Sequence, residues 1–429
     1  MIKQKLLLLC KDKTKRNFFI YGIGQAFNLL SPFVVAPWIV FICGDEGFGK
    51  VGLGFALALF LILIVDYAFD VKATREVAQN RNDSSQLQKI LNTTIFTKLF
   101  LLTLVLIVVV PILFLIPIFL KEKELFLLSL TIVFAQVFNP IWLLQGIENF
   151  KLVSLLNIGS KVGYVALVFY FTTQSSDYIF INFFLGLSAL LFNSIGLIYI
   201  KSKYNLTVAL PKFSEIQMIL RRDFQFCLSQ LFLSARQLSP LVLCGYFLGY
   251  SVAGQYKIME QVITLFRTFI QVYLKFFYPS VCYKFVTDKV SGFNFWKRFS
   301  LLNFMMVCSA LVVIFVFSEE ILYYFHLTEN TVVQINPIFR LSLVVSLLMA
   351  ITLPLEQLMF ITERNSVYVR ITMLVTVVNI LLIFSLIPIF DLLGIVFSVI
   401  ISEILFIIFY FKNSLVHLKN TIRNERNSI

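Results

Sequence analysis

The stretch from residue 254 to residue 281 constrains the fold more than any other part of the sequence. It has the length and apolar content of a transmembrane helix, because about 20 residues cross the hydrocarbon core of a bilayer. Yet its charged and polar residues recur every three or four positions: Lys257, Glu260, Thr264, Arg267, Gln271 and Lys275. A charge at the bilayer centre costs at least roughly 2.5 kcal/mol on insertion scales. This helix face therefore contacts water, protein or a charged ligand rather than lipid.

Two interpretations of this polar face are open. In the first, Lys257 and Glu260 form an ion pair, because positions three apart on a helix are neighbours. That pair leaves Arg267 and Lys275 without an acidic partner on their own helix. The second interpretation, which we favour, is a cationic lumen that receives an anion.

The composition is that of a polytopic membrane protein. Of the 429 residues, 59% are hydrophobic and only 14% are charged, and the mean hydropathy of +0.88 is far above that of a soluble protein. Long apolar runs in place of short alternating strands predict an all-α fold, since helices satisfy their own backbone hydrogen bonds in lipid.

The sequence shows no catalytic or metal-binding pattern. Its six cysteines are scattered without CxxC spacing, and its two histidines, His326 and His417, fall in a predicted loop and in the tail. No P-loop is present. We therefore expect no enzymatic activity, no cofactor and no metal site.

Apolar runs predict twelve transmembrane helices, at residues 17–42, 51–70, 91–118, 125–144, 155–173, 178–200, 224–247, 255–281, 299–318, 337–361, 367–388 and 392–411. The N-terminal segment, alternate loops and the tail hold 26 Lys and Arg residues, whereas the opposite loops hold only Lys50, Lys121 and Lys123. Because cytoplasmic loops are enriched in Lys and Arg, both termini are predicted to be cytoplasmic. The net charge of +13 follows from this bias and indicates attraction to anionic membrane lipid, not nucleic-acid binding.

An internal repeat divides the predicted helices into two sets. Gly44 to Gly49 follows span 1, and Gly249 to Gly254 follows span 7, which gives the same G-x4-G turn 205 residues later. The two spans before these turns both carry polar residues at helical spacing. We predict two six-helix lobes, at residues 1–200 and 224–429, joined by a basic cytoplasmic linker at residues 201–223.

Ionisable and polar residues inside the predicted spans are the candidate functional residues, because placing them in a bilayer is costly. The predicted lumen is lined by Arg236, Arg267, Lys257, Lys275, Lys98 and Lys161, together with Gln25 and Asn28 from the polar face of span 1. The candidates for coupling to an ion gradient are Asp66, Glu260 and Glu356. The alternative for Asp66 and Glu356 is a structural ion pair with a base such as Lys98 or Arg340.

Four short motifs carry a family resemblance. They are Gly44-Asp-Glu-Gly-Phe-Gly49, Asp66-Tyr-Ala-Phe followed by Ala73-Thr-Arg75, Asn139-Pro-Ile-Trp-Leu-Leu-Gln-Gly-Ile-Glu148, and Gly254-Gln-Tyr. With these motifs the chain resembles the O-antigen and related polysaccharide flippases of the MATE-like multidrug/oligosaccharidyl-lipid/polysaccharide (MOP) exporter superfamily. The match covers most of the chain and is densest at residues 15–160. The family pattern usually has glycine where this chain has Ala68.

The resemblance implies two six-helix bundles that alternate between cytoplasm-open and periplasm-open states in the bacterial inner membrane. It implies an undecaprenyl-pyrophosphate-linked oligosaccharide as cargo, with a polysaccharide polymerase and chain-length proteins as partners. A cationic lumen fits this cargo, because neither a pyrophosphate nor a hydrated sugar crosses about 30 Å of hydrocarbon unaided.

Two other function classes are open. A cation-coupled exporter of small organic cations on the same fold would use acidic residues, and the candidates are Asp66, Asp70, Glu260, Glu356 and Glu403. Seven basic residues inside or at the ends of the spans outnumber these five, which favours the flippase. A non-transporting scaffold or regulatory subunit is the third class, but it would have no reason to carry polar faces on spans 1, 7 and 8.

Overall fold

The computed structural model describes residues 13–415, apart from positions 68, 208 and 363. The described residues form fifteen α-helices and no β-strand. In chain order these are α1 (Lys13–Asp66), α2 (Phe69–Gln79), α3 (Ser84–Leu115), α4 (Pro117–Leu120), α5 (Lys123–Val137), α6 (Ile141–Gly146), α7 (Phe150–Phe171), α8 (Tyr178–Lys203), α9 (Phe213–Leu248), α10 (Tyr250–Thr287), α11 (Lys289–Val316), α12 (Ser318–Tyr324), α13 (Glu329–Ile361), α14 (Asn365–Phe390) and α15 (Leu392–Tyr410). A 3-10 turn at Ser175–Asp177 precedes α8, and a π-helical turn at Phe411–Leu415 follows α15.

Ten helical segments of the described chain are long and apolar enough to cross a membrane, as expected for a multi-pass membrane protein. Predicted spans 1 and 2 fall together in the first of these segments, because α1 runs through both. Predicted span 8 corresponds to α10, which is not among the ten because its charged and polar residues lower its hydropathy. The observed helices are thus consistent with the twelve predicted spans.

The two G-x4-G turns begin with the same backbone conformation. The 54-residue α1 departs from helical geometry at Gly44, where φ is 72° and ψ is 175°. Gly249, which precedes α10, has φ 88° and ψ 175°. This region of conformational space is essentially restricted to glycine. Each glycine thus separates two helical segments without any longer loop.

Two helix caps repeat the same spacing. Asp83 caps α3 by accepting hydrogen bonds from the backbone amides of Ser85 at 2.9 Å and Gln86 at 3.2 Å. Asp288 caps α11 by accepting bonds from the amides of Val290 at 2.9 Å and Ser291 at 3.1 Å. Asp288 lies 205 residues after Asp83, just as Gly249 lies 205 residues after Gly44. The glycine turns and the caps together support the predicted internal repeat.

Contacts divide the chain into two compact units, Met1–Leu231 and Phe232–Ile429. The lobe boundaries predicted at residues 200 and 224 stay a prediction. The second half of the predicted linker, residues 213–223, is not an irregular connection but forms the first three turns of α9.

Buried polar side chains join the helices of the first unit. Asn182 on α8 donates hydrogen bonds through Nδ2 to the carbonyl oxygen of Val51 and to the hydroxyl of Ser129, both at 2.9 Å. Asn193 likewise donates to the carbonyl oxygen of Ala135 at 2.8 Å. Without water to compete, such bonds hold transmembrane helices together.

The start of α9 is docked on α2 at the predicted cytoplasmic end of the first unit. Tyr67 donates a hydrogen bond to the carbonyl oxygen of Leu220 at 2.7 Å, and Arg222 lies 2.9 Å from Glu76. Asp223 pairs with Lys72 and with Arg222. Burial raises the pKa of Asp223, but hydrogen bonds from Arg222 and Lys72 outweigh it and hold this pKa below the ordinary value. The Asp223 carboxylate therefore stays ionised, and the docking intact, at neutral pH.

The second unit is held by an aromatic and aliphatic core that includes Trp296, Tyr368, Phe406 and Tyr410. Trp296 donates through Nε1 to the carbonyl oxygen of Pro354 at 3.3 Å, which ties α11 to α13. Gln357 on α13 donates to the carbonyl oxygen of Leu274 on α10 at 2.9 Å. These contacts fix the neighbouring helices around the polar residues described next.

Candidate anion site in the second unit

The polar face of α10 is divided between a closed pair and an unpaired cation. Lys257 Nζ lies 2.7 Å from Glu260 Oε2, so the ion pair of the first interpretation forms. Arg267, two turns further along, is half-buried and makes no hydrogen bond or ion pair with any residue that the structure describes. Gln271 and Lys275 are exposed. The pair of the first interpretation thus accounts for Lys257 and Glu260, and the cationic lumen of the second stays a prediction for which Arg267 is available.

Arg236, on α9, is held by two residues of α15. Its Nη2 donates a hydrogen bond to Oε1 of Glu403. Its guanidinium carbon also lies 4.0 Å from the ring centroid of Phe406, three residues further along the same helix. Glu403 is only 1% exposed, so its charge depends on this arginine for compensation.

Glu356 completes the cluster from α13. Its Oε1 accepts a hydrogen bond from the hydroxyl of Tyr368 at 3.1 Å. The ring of Tyr368 stacks on that of Tyr410, with centroids 6.0 Å apart. Glu356 is within electrostatic reach of Arg236, Arg267 and Glu403. The second unit therefore gathers three acidic and three basic side chains in one region: Glu260, Glu356, Glu403, Arg236, Lys257 and Arg267.

A cavity of about 30 Å³ lies within this cluster. Both arginines, Arg236 and Arg267, line it together with Glu260 and Glu403. Its remaining wall includes Tyr256, Asn379, Ser402 and the aliphatic side chains of Ile263, Val345 and Val399. The two carboxylates of this wall are paired, Glu403 with Arg236 and Glu260 with Lys257. Arg267 is therefore the lining cation that favours the binding of an anion.

Two buried acceptors of this wall lack a donor among the described residues. Glu403 Oε2 accepts no hydrogen bond there, although Oε1 of the same carboxylate is paired. Asn379 uses its amide nitrogen on Ser398 and Ser402, and its oxygen Oδ1 is left without a partner in the same part of the chain. Buried acceptors are normally satisfied, so both oxygens could accept a hydrogen bond from a ligand or a proton in this cavity.

The predicted residues of the first unit form a separate, closed pair. Lys98 is fully buried on α3 and donates to Asp66 at the end of α1. The Lys98 ammonium also lies 5.8 Å from the ring centroid of Phe69, and Asp70 interacts with Asp66. The structural alternative for Asp66, an ion pair with Lys98, is therefore what the structure shows.

The other predicted site residues are dispersed. Lys161 is half-buried in the middle of α7 and makes no hydrogen bond or ion pair with a described residue. Asn28 is half-buried on α1, while the side chain of Gln25 lies outside the described residues. Arg340 does not pair with Glu356, because the two are more than four turns apart on α13. Instead Arg340 donates to the Ser318 hydroxyl at 2.8 Å.

Sequence reasoning missed the roles of Glu403 and Asn379. Glu403 was considered only as an acid for a cation exporter, yet it is the partner of a predicted lumen arginine 167 residues away in sequence. A usable signal was present, because Ser398, Ser402 and Glu403 fall on one face of an otherwise apolar helix.

The sequence over residues 14–281 matches the family described as "polysaccharide biosynthesis protein", and this match spans more than half of the chain. The chain belongs to this family. The family resemblance predicted from the sequence motifs is thereby confirmed.

Relatives and solved structures agree with this assignment. A curated protein of Escherichia coli K12 named "Putative O-antigen transporter" is 23% identical over 398 residues, which cover 92% of this chain and 95% of that protein. A protein of the same name from Shigella dysenteriae is 22% identical over 407 residues, covering 93% and 99%. An inward-facing MATE family multidrug resistance transporter of the MOP superfamily matches with a TM-score of 0.73 at 16% identity, over 93% of this chain and 96% of that chain. The predicted MATE-like, all-α membrane fold is confirmed.

Proposed function

We propose that this polysaccharide biosynthesis protein is a lipid-linked oligosaccharide flippase. Its cargo would be an undecaprenyl-pyrophosphate-linked O-antigen or capsule repeat unit, moved from the cytoplasmic to the periplasmic leaflet of the bacterial inner membrane by alternating access. The relatives named as O-antigen transporters and the MATE-like fold support this class of function. A polysaccharide polymerase and chain-length proteins would use the exported unit.

The observation that carries the proposal is the arrangement of Arg236 and Arg267. They come from two helices, α9 and α10, and line one cavity inside the second unit. A pyrophosphate bridge carries two negative charges, and guanidinium groups bind phosphate oxygens with paired N–H donors. In the apolar interior of a membrane protein these two cations would replace the hydration that the pyrophosphate loses. The polyprenyl tail needs no such site, because it is soluble in the bilayer.

The cavity is smaller than the proposed ligand. Its volume of about 30 Å³ holds one or two water molecules, since one water needs roughly 10–15 Å³. A pyrophosphate therefore enters only if side chains around the cavity move. Weak binding with rearrangement suits a transporter, because the cargo must also leave.

The alternative, an exporter of small organic cations, has less support in this region. Each of its three acidic side chains already accepts a hydrogen bond, Glu260 from Lys257, Glu403 from Arg236 and Glu356 from Tyr368. An incoming cation would have to displace these donors. An incoming anion meets Arg267, which has no partner among the described residues.

Arg267→Ala is the sharpest test of this proposal. Arg267 pairs with no described carboxylate, so its removal leaves no buried acidic side chain without a cation. Arg236→Ala, in contrast, would leave Glu403 without its partner. In proteoliposomes with a fluorescent lipid-linked oligosaccharide, we expect Arg267→Ala to slow flipping roughly ten- to hundredfold, the effect of losing one or two charged hydrogen bonds. Arg267→Lys should retain part of the rate, because lysine keeps the positive charge but cannot make the two parallel hydrogen bonds of a guanidinium to a phosphate.

Arg340→Ala is the matched control. Arg340 is also an arginine of a membrane-length helix in the second unit, but it contacts Ser318 and Phe315 and does not line the cavity. This variant should flip the lipid at the parental rate. A parental rate in Arg267→Ala, with the protein correctly inserted, would remove Arg267 from the substrate path.

A further inference from the structure

We propose that Glu403 is an internal counter-ion of the anion site, which a bound phosphate displaces from Arg236 and which takes up one proton as it is displaced. This inference rests on the proposed function and assigns a role to a residue outside the predicted site. It makes anion binding and proton uptake one linked event.

The geometry that carries the inference is the half-satisfied carboxylate of Glu403. Oε1 occupies a donor of Arg236, in the position that a phosphate oxygen would take. Oε2 is buried on the cavity wall and accepts no hydrogen bond from a described residue. One oxygen therefore holds the arginine, while the other is open to a proton.

The balance of charges in the cavity then determines whether a displaced Glu403 is ionised or protonated. In its present state the Glu403 carboxylate compensates Arg236, whereas Arg267 makes no ion pair with a described carboxylate. A pyrophosphate diester brings two negative charges, which the two arginines match only if Glu403 contributes none. A displaced, ionised Glu403 would be a buried charge without a partner, which is strongly unfavourable. Protonation on Oε2 removes that charge and lets the phosphate keep both guanidinium groups.

No other charged or titratable group around Glu403 has to leave Arg236 and take up a proton when a phosphate binds there. Arg236, Arg267 and Glu356 are in electrostatic reach of Glu403. Glu260 and Tyr256 line the same cavity, and Tyr368 and Tyr410 are in electrostatic reach of Glu356. Glu260 is paired with Lys257, and Glu356 accepts from Tyr368, so neither has to leave a cation when phosphate binds Arg236. The tyrosines are phenols, which carry no charge near neutral pH and so do not compensate an arginine. Glu403 is the carboxylate bonded to an arginine of the cavity, and its displacement is the step that requires a proton.

Binding measured over a pH series tests the linkage. The probe is a soluble pyrophosphate diester with one sugar and one short isoprenoid chain, whose own charge is constant from mildly acidic to mildly alkaline pH. For the parent protein in detergent we expect its affinity to rise as pH falls, by up to about tenfold per pH unit, the limit for one linked proton. Calorimetry in two buffers of different ionisation enthalpy should count one proton taken up per probe bound.

Glu403→Gln mimics the protonated side chain and should bypass the linkage. We expect it to bind the probe at alkaline pH roughly tenfold more tightly than the parent, with no pH dependence and no proton uptake. The matched control is Glu319→Gln, which removes a carboxylate 3.9 Å from Arg340 in the same unit, away from the cavity. It should keep the parental pH profile and proton count.

The possible outcomes separate this inference from the proposed function. If neither the folded parent nor Glu403→Gln binds the probe at any pH, the flippase proposal fails and the present inference fails with it. If the parent binds without proton uptake, or Glu403→Gln still takes up a proton, the function stands and the role of Glu403 is wrong. Should Glu403→Gln not fold, the proton count of the parent still decides, because a count of zero contradicts the inference.

Discussion

Individual charged residues in this protein are mostly held in specific pairs inside the apolar helices. Helical spacing was sufficient to predict Lys257 with Glu260, because both lie on one helix three positions apart. The Asp66–Lys98 pair joins two helices, and it was predicted as one of two structural alternatives from the cost of a lone carboxylate in the bilayer, not from helical spacing. Helical spacing did not predict Arg236 with Glu403, because a pair between helices depends on tertiary packing that a single sequence does not encode locally. The sequence thus named both arginines of the candidate site, but not the carboxylate that pairs with Arg236.

The Asp66–Lys98 pair gives a prediction at the residue scale. Lys98→Met should lower the free energy of unfolding by about 3–5 kcal/mol, because it leaves the buried carboxylate of Asp66 without its cation. The double variant Asp66→Asn with Lys98→Met should recover most of the loss, since no buried charge remains. Thermal unfolding in detergent measures both effects. A Lys98→Met protein as stable as its parent would show that Asp66 is neutral or differently compensated.

At the scale of elements, the sequence predicted which segments are helical but not where each helix begins. Spans 1 and 2 were predicted as separate helices, and the break in helical geometry at Gly44 agrees with this. Span 7 was predicted to begin at residue 224, and α9 begins at Phe213. Hydropathy marks the part of a helix that lies in lipid. A helix continues beyond that part when side chains outside it, here Arg222 and Asp223, find partners.

The glycine turns give a prediction at this scale. Gly44→Ala and Gly249→Ala should each destabilise the protein by about 1–3 kcal/mol, because alanine does not readily adopt their positive φ angles. No atom would clash with the added methyl group at either position, so the effect isolates the backbone conformation. Gly22→Ala is the control. It has the same free space but lies within regular helix, where alanine is favoured by about 1 kcal/mol. Equal melting temperatures for all three variants would contradict the assigned turn conformation.

At the scale of the whole molecule, the membrane class and the all-α architecture were predicted from composition and apolar runs, and the MATE-like fold from the family resemblance. Composition and apolar runs are averaged over long segments. A prediction based on them therefore does not depend on where any one helix is predicted to begin or end. The direction of insertion rests on a different signal, the 26 to 3 distribution of Lys and Arg between the two sets of loops.

Cysteine labelling tests that orientation. In a background without native cysteines, Lys212→Cys and Glu329→Cys place a thiol at two exposed positions, one in the predicted cytoplasmic linker and one in a predicted periplasmic loop. A membrane-impermeant maleimide should modify Glu329→Cys in spheroplasts and Lys212→Cys only after lysis. Modification of Lys212→Cys before lysis would invert the proposed topology.

The 205-residue offset between the two halves has an evolutionary consequence. Applied to Lys98 it leads to Asn303, and applied backwards from Arg236 it leads to Ser31, so neither cation has a charged counterpart in the other half. Asn303 and Ser31 are both buried, and their side chains make no hydrogen bond within the described residues. If the halves descend from one duplicated ancestor, they have since specialised, because Lys98 of the first ion pair and Arg236 of the second each face an uncharged residue at this offset. A gene that encodes either half twice in tandem would then yield a protein that inserts into the membrane and exports nothing.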